Sequence, residues 1–355
     1  MANSSTFLKQ LTKKLNSINS VSFTILTLFI ILLKSGVSPI GSEYVGWLRE
    51  TAKSLPHPVT YLASSPIPMA LMRLFNYPSD LTWWGLGLGV YFSWIALTTY
   101  FLVKKFPSHK KFAILLFLAS TPIITAASMI GHIDVYSLIG ATIAVLATFR
   151  FRFVVGALFA IGGNADQAIA TSVCLVLLAL AGSLMARKMV LQWCLTSLIG
   201  YLTIHSLFTI SSANDPKQVM IGEMRSVFTH SLGSWDLLLY SQLGLLWIPW
   251  LLLVLPKYQN FYRRIFLLGA VIIVPFGMTF LILDGTRVGT TVGFLVLLIT
   301  FTEIDNPPEV PLFIREYGLA IAYLILVFTP AIIVGNGALL RLPYRKILEQ
   351  FGLIS

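Results

Sequence analysis

The hydrophobic pattern of the chain is a series of apolar runs of about 12 to 23 residues, separated by short polar segments. Apolar runs of ~20 residues are long enough to cross a hydrocarbon core of ~30 Å as α-helices. The pattern therefore predicts an all-α fold, a polytopic transmembrane helix bundle of about eleven spans. We place these spans at residues 22–35, 81–103, 112–130, 134–149, 152–163, 166–184, 189–211, 236–255, 264–283, 287–303 and 317–337.

The segments between the spans predict the domain organisation. Residues 1–21 form an N-terminal tail, residues 22–337 form the bundle, and residues 338–355 form a C-terminal amphipathic segment. Two long outer loops cover 36–80 and 212–235, and the first contains two stretches patterned like interfacial helices, Tyr44–Leu55 and Thr60–Phe75. The fifth span is too short to cross the core. It predicts a half-helix or a re-entrant segment, which is tolerated only where protein or a watery cavity satisfies its backbone.

Composition and charge support a membrane protein. Hydrophobic residues make up 56% of the chain and charged residues 11%, against about a quarter charged in soluble domains. The net charge of +11 does not indicate nucleic-acid binding, because most basic residues lie in alternate short loops, as the positive-inside rule predicts. We therefore place the N-terminus in the cytoplasm and, after eleven spans, the C-terminus outside. The cysteines, Cys174 and Cys194, lie in apolar runs and indicate packing.

Three polar turns at the outer ends of spans are the candidate sites, because ionisable groups near membrane depth are costly. Gly131-His132-Ile133-Asp134 offers Asp134 as a base, or as the residue that orients His132 as a base. Residues 162–167 offer Asp166 and Gln167 at a helix start after a Gly-Gly break. Residues 283–287 offer Asp284 and Arg287, which could pair, while Arg287 could also bind a phosphate. The structural alternatives are helix caps for the first two turns and an internal ion pair for the third.

Further candidates lie outside these turns. Glu43 follows the first span and is a candidate base, with a solvated interfacial helix as the alternative. Arg341 and Arg345 lie on the C-terminal amphipathic segment, where they could attract lipid headgroups or bind a phosphorylated lipid. The chain has no P-loop, no dinucleotide-binding glycine pattern, no His-Glu-x-x-His helix and no Gly-x-Ser-x-Gly elbow.

The arrangement resembles the GT-C class of integral membrane glycosyltransferases. The matching features are the long first outer loop with Glu43, the short fifth span, and the turns GHID (131–134), GGNADQ (162–167) and DGTR (284–287). The resemblance covers most of the chain as topology and about a dozen residues as motif. The first loop has no Asp-x-Asp or Glu-x-Asp pair and the chain has no Trp-Trp-Asp-Tyr-Gly motif. Any metal is therefore unassigned, and a divalent cation is an open alternative.

The resemblance implies a hexosyl transfer at the extracytoplasmic face of a bacterial inner membrane, in cell-envelope polysaccharide synthesis. A polyprenyl-phosphate-linked sugar would be the donor and a glycan or lipid the acceptor. Arg287, with Arg341 or Arg345, would hold the phosphate, and Glu43 or Asp134 would deprotonate the acceptor. Asp166 and Gln167 would bind sugar hydroxyls. The alternatives are a transporter or flippase of a lipid-linked or polar substrate, an O-antigen-type polymerase, and an accessory subunit without a site.

Overall fold

The structure is a computed structural model of the 355-residue chain. It describes residues 2–58, 61–107, 109–208, 229, 232–233, 235–279, 285–303, 312–328, 334–335 and 338–339. The predicted second outer loop and the C-terminal amphipathic segment therefore lie almost entirely outside the described residues.

The described regular structure is helical apart from one pair of two-residue strands, which confirms the all-α part of the predicted fold class. Up to residue 207 the helices are α1 (Ala2–Ser17), α2 (Ser20–Ser35), α3 (Ser42–Ser54), α4 (Pro66–Leu74), α5 (Asp80–Lys105), α6 (Lys110–Leu118), α7 (Thr121–Ser128), α8 (Asp134–Leu146), α9 (Arg152–Gly163), α10 (Ala165–Ala181) and α11 (Leu184–Leu207). Side-chain caps define several starts, since Asn19, Ser79, Asn164 and Ser183 each accept a hydrogen bond from a backbone N–H in the first turn of the helix that follows.

The C-terminal part continues with α12 (Trp235–Leu243), whose chain runs on in short 3₁₀ and π turns to Lys257. Next come α13 (Phe261–Thr279), with a π-helical turn at Gly269–Ile273, then α14 (Gly285–Thr302) and α15 (Leu312–Phe328). A short antiparallel pair joins β1 (Val334–Gly335) to β2 (Ala338–Leu339).

Three of the described helices are long and apolar enough to cross a membrane, namely α5, α11 and α13. The number rises to six if each of three sharply bent helix pairs counts as one span. Five further apolar helices have 10–17 residues and rise at most ~26 Å, less than the hydrocarbon core. Each of the eleven predicted segments coincides with one of these helices or pairs, but the structure supports three to six full spans, which is fewer than predicted.

The segment 112–130 shows why apolar runs overstate full spans. We predicted one helix here, and the structure has two, α6 and α7, bent by 47° at Ala119 and Ser120. Pro122 stands in the first turn of α7. A proline is favoured there because the first turn has no backbone acceptor for its missing N–H, and it breaks a continuing helix.

Helices α8 and α9 pack closely against each other. Gly140 and Gly156 face each other, and a Cβ added at either would lie 2.4 or 2.6 Å from the other's carbonyl oxygen. The two backbones are therefore in contact, as is common where small residues line an interface between helices in lipid. Most side chains of α8 are buried, so this short helix is surrounded by protein along much of its length.

The first outer loop folds as a helical excursion with its own small core. α3, a 3₁₀ turn at Tyr61–Ser64 and α4 stand where interfacial helices were predicted. Their apolar faces meet around Leu48, Met69, Met72 and Trp83, a cluster separate from the main core of the bundle. The excursion therefore rests on the bundle at the N-terminal end of α5.

Candidate functional site

The site begins with the turn that links α7 to α8. Gly131 has a φ of +90°, which glycine adopts without strain, and the indole N–H of Trp83 donates to its carbonyl oxygen at 3.0 Å. Gly87 of α5 lies against this turn so closely that a Cβ there would be 2.5 Å from the Gly131 nitrogen. This close approach places His132 and Asp134 at the N-terminal end of α8, beside α5.

The first outer loop docks on the same turn. The backbones of Ser38, Ile40 and Ile130 exchange hydrogen bonds of 2.9 Å, and the indole N–H of Trp84 donates to the Ile40 carbonyl at 2.9 Å. At the start of α3, the ring of Tyr44 stacks on the imidazole of His132, with centroids 5.0 Å apart. The excursion thus covers one face of His132.

Four side chains from three distant segments form a buried polar cluster. Nη1 of Arg287, in the first turn of α14, donates to Oδ2 of Asp134 at 2.6 Å and lies 2.9 Å from Nε2 of His132. Nε2 of Gln167 donates to Oδ1 of Asp134 at 3.1 Å. His132, Asp134 and Gln167 are buried, and the Arg287 side chain is 13% exposed. We call these four residues the Arg287 cluster.

Helix ends hold the cluster in place. Asn164 caps α10 by accepting from the backbone N–H of Gln167, which fixes the first turn that carries the glutamine. In α14 the hydroxyls of Thr290 and Thr291 both donate to the carbonyl oxygen of Arg287, at 3.0 and 2.9 Å. Gln167 and Arg287 therefore each project from a helix start that has its own hydrogen bonds.

The imidazole of His132 lies between the polar groups of the cluster. Nη1 of Arg287 is 2.9 Å from Nε2 and 3.2 Å from Nδ1, while Oδ2 and the backbone nitrogen of Asp134 are each 3.3 Å from Nδ1. The Asp134 carboxylate therefore contacts both the guanidinium and the imidazole. Arg287 and Asp134 form an ion pair, and a buried arginine and carboxylate each require such a partner.

A cleft opens beside the cluster between α5, α7, α8 and α14. Its polar lining includes His132, Asp134, Arg287, Thr125 and Thr291, while Leu138 contributes apolar surface. The free volume is about 20 Å³, which is room for one or two water molecules and not for a sugar phosphate.

The structure brings together only some of the predicted site residues. His132, Asp134, Gln167 and Arg287 meet in one cluster. Asp166 does not join it, because its side chain lies on another face of α10, is 45% exposed, and has Oδ1 3.7 Å from Nε2 of His205.

Glu43 is exposed on α3, one residue before the tyrosine that stacks on His132. Asp284, Arg341 and Arg345 lie outside the described residues. In the part of the chain that is described, no three His, Cys, Asp or Glu side chains are grouped to hold a metal ion.

Sequence reasoning missed the aromatic contributions to the site. Tryptophans near span ends, such as Trp83 and Trp84, are ordinarily explained as membrane-belt or packing residues. Here the indole of Trp83 donates to the Gly131 carbonyl and that of Trp84 to the Ile40 carbonyl, which adjoins the same turn. Tyr44 was not singled out, and its position next to Glu43 at the start of an amphipathic helix was the available signal.

The described residues thus form a helical protein with helices long and apolar enough to cross a membrane and a buried polar cluster built around an ion pair. Comparison with protein-family models, with curated proteins and with solved structures finds no match to this chain.

Proposed function

We propose that the chain is an eleven-segment integral protein of the bacterial inner membrane that transfers a sugar from a polyprenyl-phosphate donor to a glycan or lipid acceptor at the outer face. The observation that carries the proposal is the convergence of Arg287, Asp134, His132 and Gln167 beside a cleft. These groups supply an anion-binding guanidinium, a base and a hydrogen-bonding amide, which glycosyl transfer from a phosphate requires.

In this proposal Arg287 binds the donor phosphate. A guanidinium binds phosphate oxygens by paired hydrogen bonds, and these strengthen as negative charge develops on the leaving group. Arg341 and Arg345 of the C-terminal segment would add to this charge. Because the Arg287 side chain is only 13% exposed, its interaction with the phosphate would be weakly screened by water.

The acceptor hydroxyl oxygen would attack the anomeric carbon while the bond from that carbon to the phosphate oxygen breaks. Polyprenyl phosphate leaves with the bonding electron pair, and the acceptor proton passes to a base. His132 is the base that the geometry favours, since Oδ2 of Asp134 lies 3.3 Å from its Nδ1 and Arg287 contacts both of its ring nitrogens. Movement of Arg287 to the phosphate would uncover the imidazole, so donor binding would prepare the base.

Gln167 fits a sugar-binding role. Its Nε2 is engaged by Asp134, while its buried Oε1 has no hydrogen-bond partner among the described residues and can accept from a sugar hydroxyl. Asp166 faces His205 and is therefore assigned no contact with the donor. Glu43, exposed above Tyr44, is the second candidate base.

Entry of the donor requires the cleft to widen. The excursion that carries Tyr44 covers His132, and its small core is shared with Trp83 of α5 and Ile133. Ile67 of α4 also packs against the main core, so opening of the site would have to separate these contacts. We propose that outward movement of α3 and α4 opens the site towards the lipid.

The transport alternative calls for charged groups along a path through the bundle. Among the described buried residues, the charged side chains away from the Arg287 cluster are Lys34 and Lys111, and both donate to backbone carbonyl oxygens. They cap helix ends instead of lining a path, which favours a transferase. An O-antigen-type polymerase uses closely related chemistry and remains within the proposal.

The test is sugar transfer by the purified protein in proteoliposomes with labelled polyprenyl-phosphate donors. We expect Arg287→Gln and His132→Gln each to lower the rate by about 10²–10³-fold, the usual loss when a stabilising or proton-transferring group is removed. Arg49→Gln is the matched control, since Arg49 pairs with Asp80 on the same side of the bundle but outside the cluster. Equal rates for the wild type and both cluster variants would overturn the proposal.

A further inference from the structure

The N-terminal helix α1 is amphipathic, and its polar face is basic. Leu8 and Leu11 pack on the main core and Leu15 is 4% exposed, so one face of the helix is turned inward. Lys9, Lys13 and Lys14 are exposed, and the Phe7 side chain is 55% exposed. Such a helix has the pattern of one that lies in a bilayer interface.

The bend after α1 sets its orientation. The helix axis turns by 116° between residues 6–17 and residues 20–35. The axis of α1 is therefore 26° (116° less 90°) from perpendicular to the axis of α2. Lys111 fixes its C-terminal end by donating to the carbonyl oxygens of Leu15 and Asn16 at 2.7 and 2.6 Å. If α2 crosses the membrane, α1 lies along its surface.

More lysines stand beside the clamped end of α1. Lys104, Lys105 and Lys110 are exposed in the turn between α5 and α6, next to the lysine that holds α1. Residues 1–42 and 81–133 contain no Asp or Glu, so any acid that pairs with these lysines belongs to another segment. We call the six exposed lysines of α1 and this turn the lysine surface.

The lysine surface lies at the opposite end of α5 from the Arg287 cluster. Gly87 of α5 contacts the 131 turn, and Lys104 is 17 residues further along the same helix. At 1.5 Å per residue the separation is ~26 Å, close to the thickness of a hydrocarbon core. The surface therefore cannot be part of the proposed catalytic site.

We propose that the lysine surface binds the headgroups of anionic lipids in the leaflet opposite the Arg287 cluster. Charge complementarity identifies the occupant, because clusters of four to eight basic residues beside a membrane-spanning helix attract anionic lipid. The exposed Phe7 favours a lipid surface over a soluble acidic partner, since an aromatic ring beside lysines inserts at the headgroup level. The inference requires insertion in a membrane but does not depend on the proposed transfer reaction.

The experiment compares spin-labelled phosphatidylglycerol with spin-labelled phosphatidylcholine around the full chain in vesicles. The motionally restricted fraction of each label gives the selectivity of the protein for anionic lipid. At low salt we expect the protein to select phosphatidylglycerol over phosphatidylcholine about fivefold, which is the factor that one lysine near a charged bilayer contributes. This selectivity should be lost at 1 M salt, which screens the charges.

The decisive variant is the triple change Lys9→Gln, Lys13→Gln and Lys14→Gln. It should at least halve the selectivity, while arginine at the same three positions, which keeps the charge, should preserve it. Both variants change exposed side chains, and their elution as the wild-type species would show that the fold is intact. Selectivity near one in the wild type, or unchanged selectivity in the glutamine variant, would overturn the proposal.

Discussion

Removing the charge of either Asp134 or Arg287 alone should destabilise the protein strongly. Removing both charges should cost less than the sum of the two single losses. Asp134→Asn leaves the Arg287 guanidinium in a protein environment without its counter-charge. Arg287→Gln leaves the buried Asp134 carboxylate without its counter-charge. The double variant leaves no unpaired charge in the pair. The Arg49–Asp80 pair, with side chains 28% and 29% exposed, is a less buried control of identical chemistry.

The magnitude follows from burial and distance. Nη1 and Oδ2 are 2.6 Å apart, and the Asp134 side chain is 7% exposed. With the charge centres ~4 Å apart and an effective dielectric constant of ~20, the attraction is about 4 kcal/mol. Removing one partner of a buried pair costs about 3–5 kcal/mol, whereas an exposed pair contributes about 0–1 kcal/mol.

The assay is denaturant unfolding of the purified protein in detergent micelles, followed by the fluorescence of its tryptophans. We expect each single variant to lose about 3–5 kcal/mol and the double variant to lose at least ~1.5 kcal/mol less than the sum of the two. The corresponding cycle at Arg49 and Asp80 should give a coupling below ~1 kcal/mol. Additive losses at Asp134 and Arg287, or single losses below ~0.5 kcal/mol, would refute the reasoning.

Three further predictions use other parts of the fold. Gly140→Ala places a methyl group 2.4 Å from a backbone oxygen and should lower the free energy of unfolding by about 1–3 kcal/mol. Gly89→Ala meets open space and should lower it by less than ~0.5 kcal/mol, so equal losses would contradict the packing of α8 on α9. Pro39→Cys with Ile130→Cys, at a β-bridge, should form a disulfide that blocks sugar transfer until it is reduced, and transfer by the oxidised protein would show that the excursion need not move. Glu303 accepts hydrogen bonds from the Ser183 hydroxyl and the Met185 N–H, at 2.8 and 2.9 Å. Glu303→Ala should therefore lower the free energy of unfolding by about 1–2 kcal/mol, and an unchanged unfolding midpoint would show that these bonds are not needed.

The positions of the apolar segments were predictable from the sequence, but their continuity was not. Hydropathy reports that a segment avoids water, and it does so equally for a membrane span and for a short helix surrounded by protein. α8 has the composition of a span and 13 residues, and most of it is buried by its neighbours. The break between α6 and α7 had a local signal in Pro122, which a hydropathy average hides.

The candidate site was predictable where a polar residue interrupts an apolar region. His132, Asp134 and Arg287 were identified on that ground, and they meet. The sequence could not show which of Asp166 and Gln167 joins the cluster, because adjacent residues are separated by about 100° around the helix axis. An error of one residue in the phase of α10 is enough to turn the wrong side chain towards the cluster. The stacking of Tyr44 on His132 joins residues 88 positions apart (132 less 44), and no local pattern reports such a contact.

His132 separates a simple lock between helices from the proposed site. A lock needs Arg287 and Asp134 alone, whose Nη1 and Oδ2 atoms are 2.6 Å apart. The imidazole of His132 is an additional group, within 3.2 Å of Nη1 through both of its ring nitrogens and stacked on Tyr44. In the proposed mechanism the negative charge of a donor phosphate would draw Arg287 away from the imidazole. His132 would then be able to accept the acceptor's proton beside Asp134, so donor binding and proton uptake would be linked through one arginine.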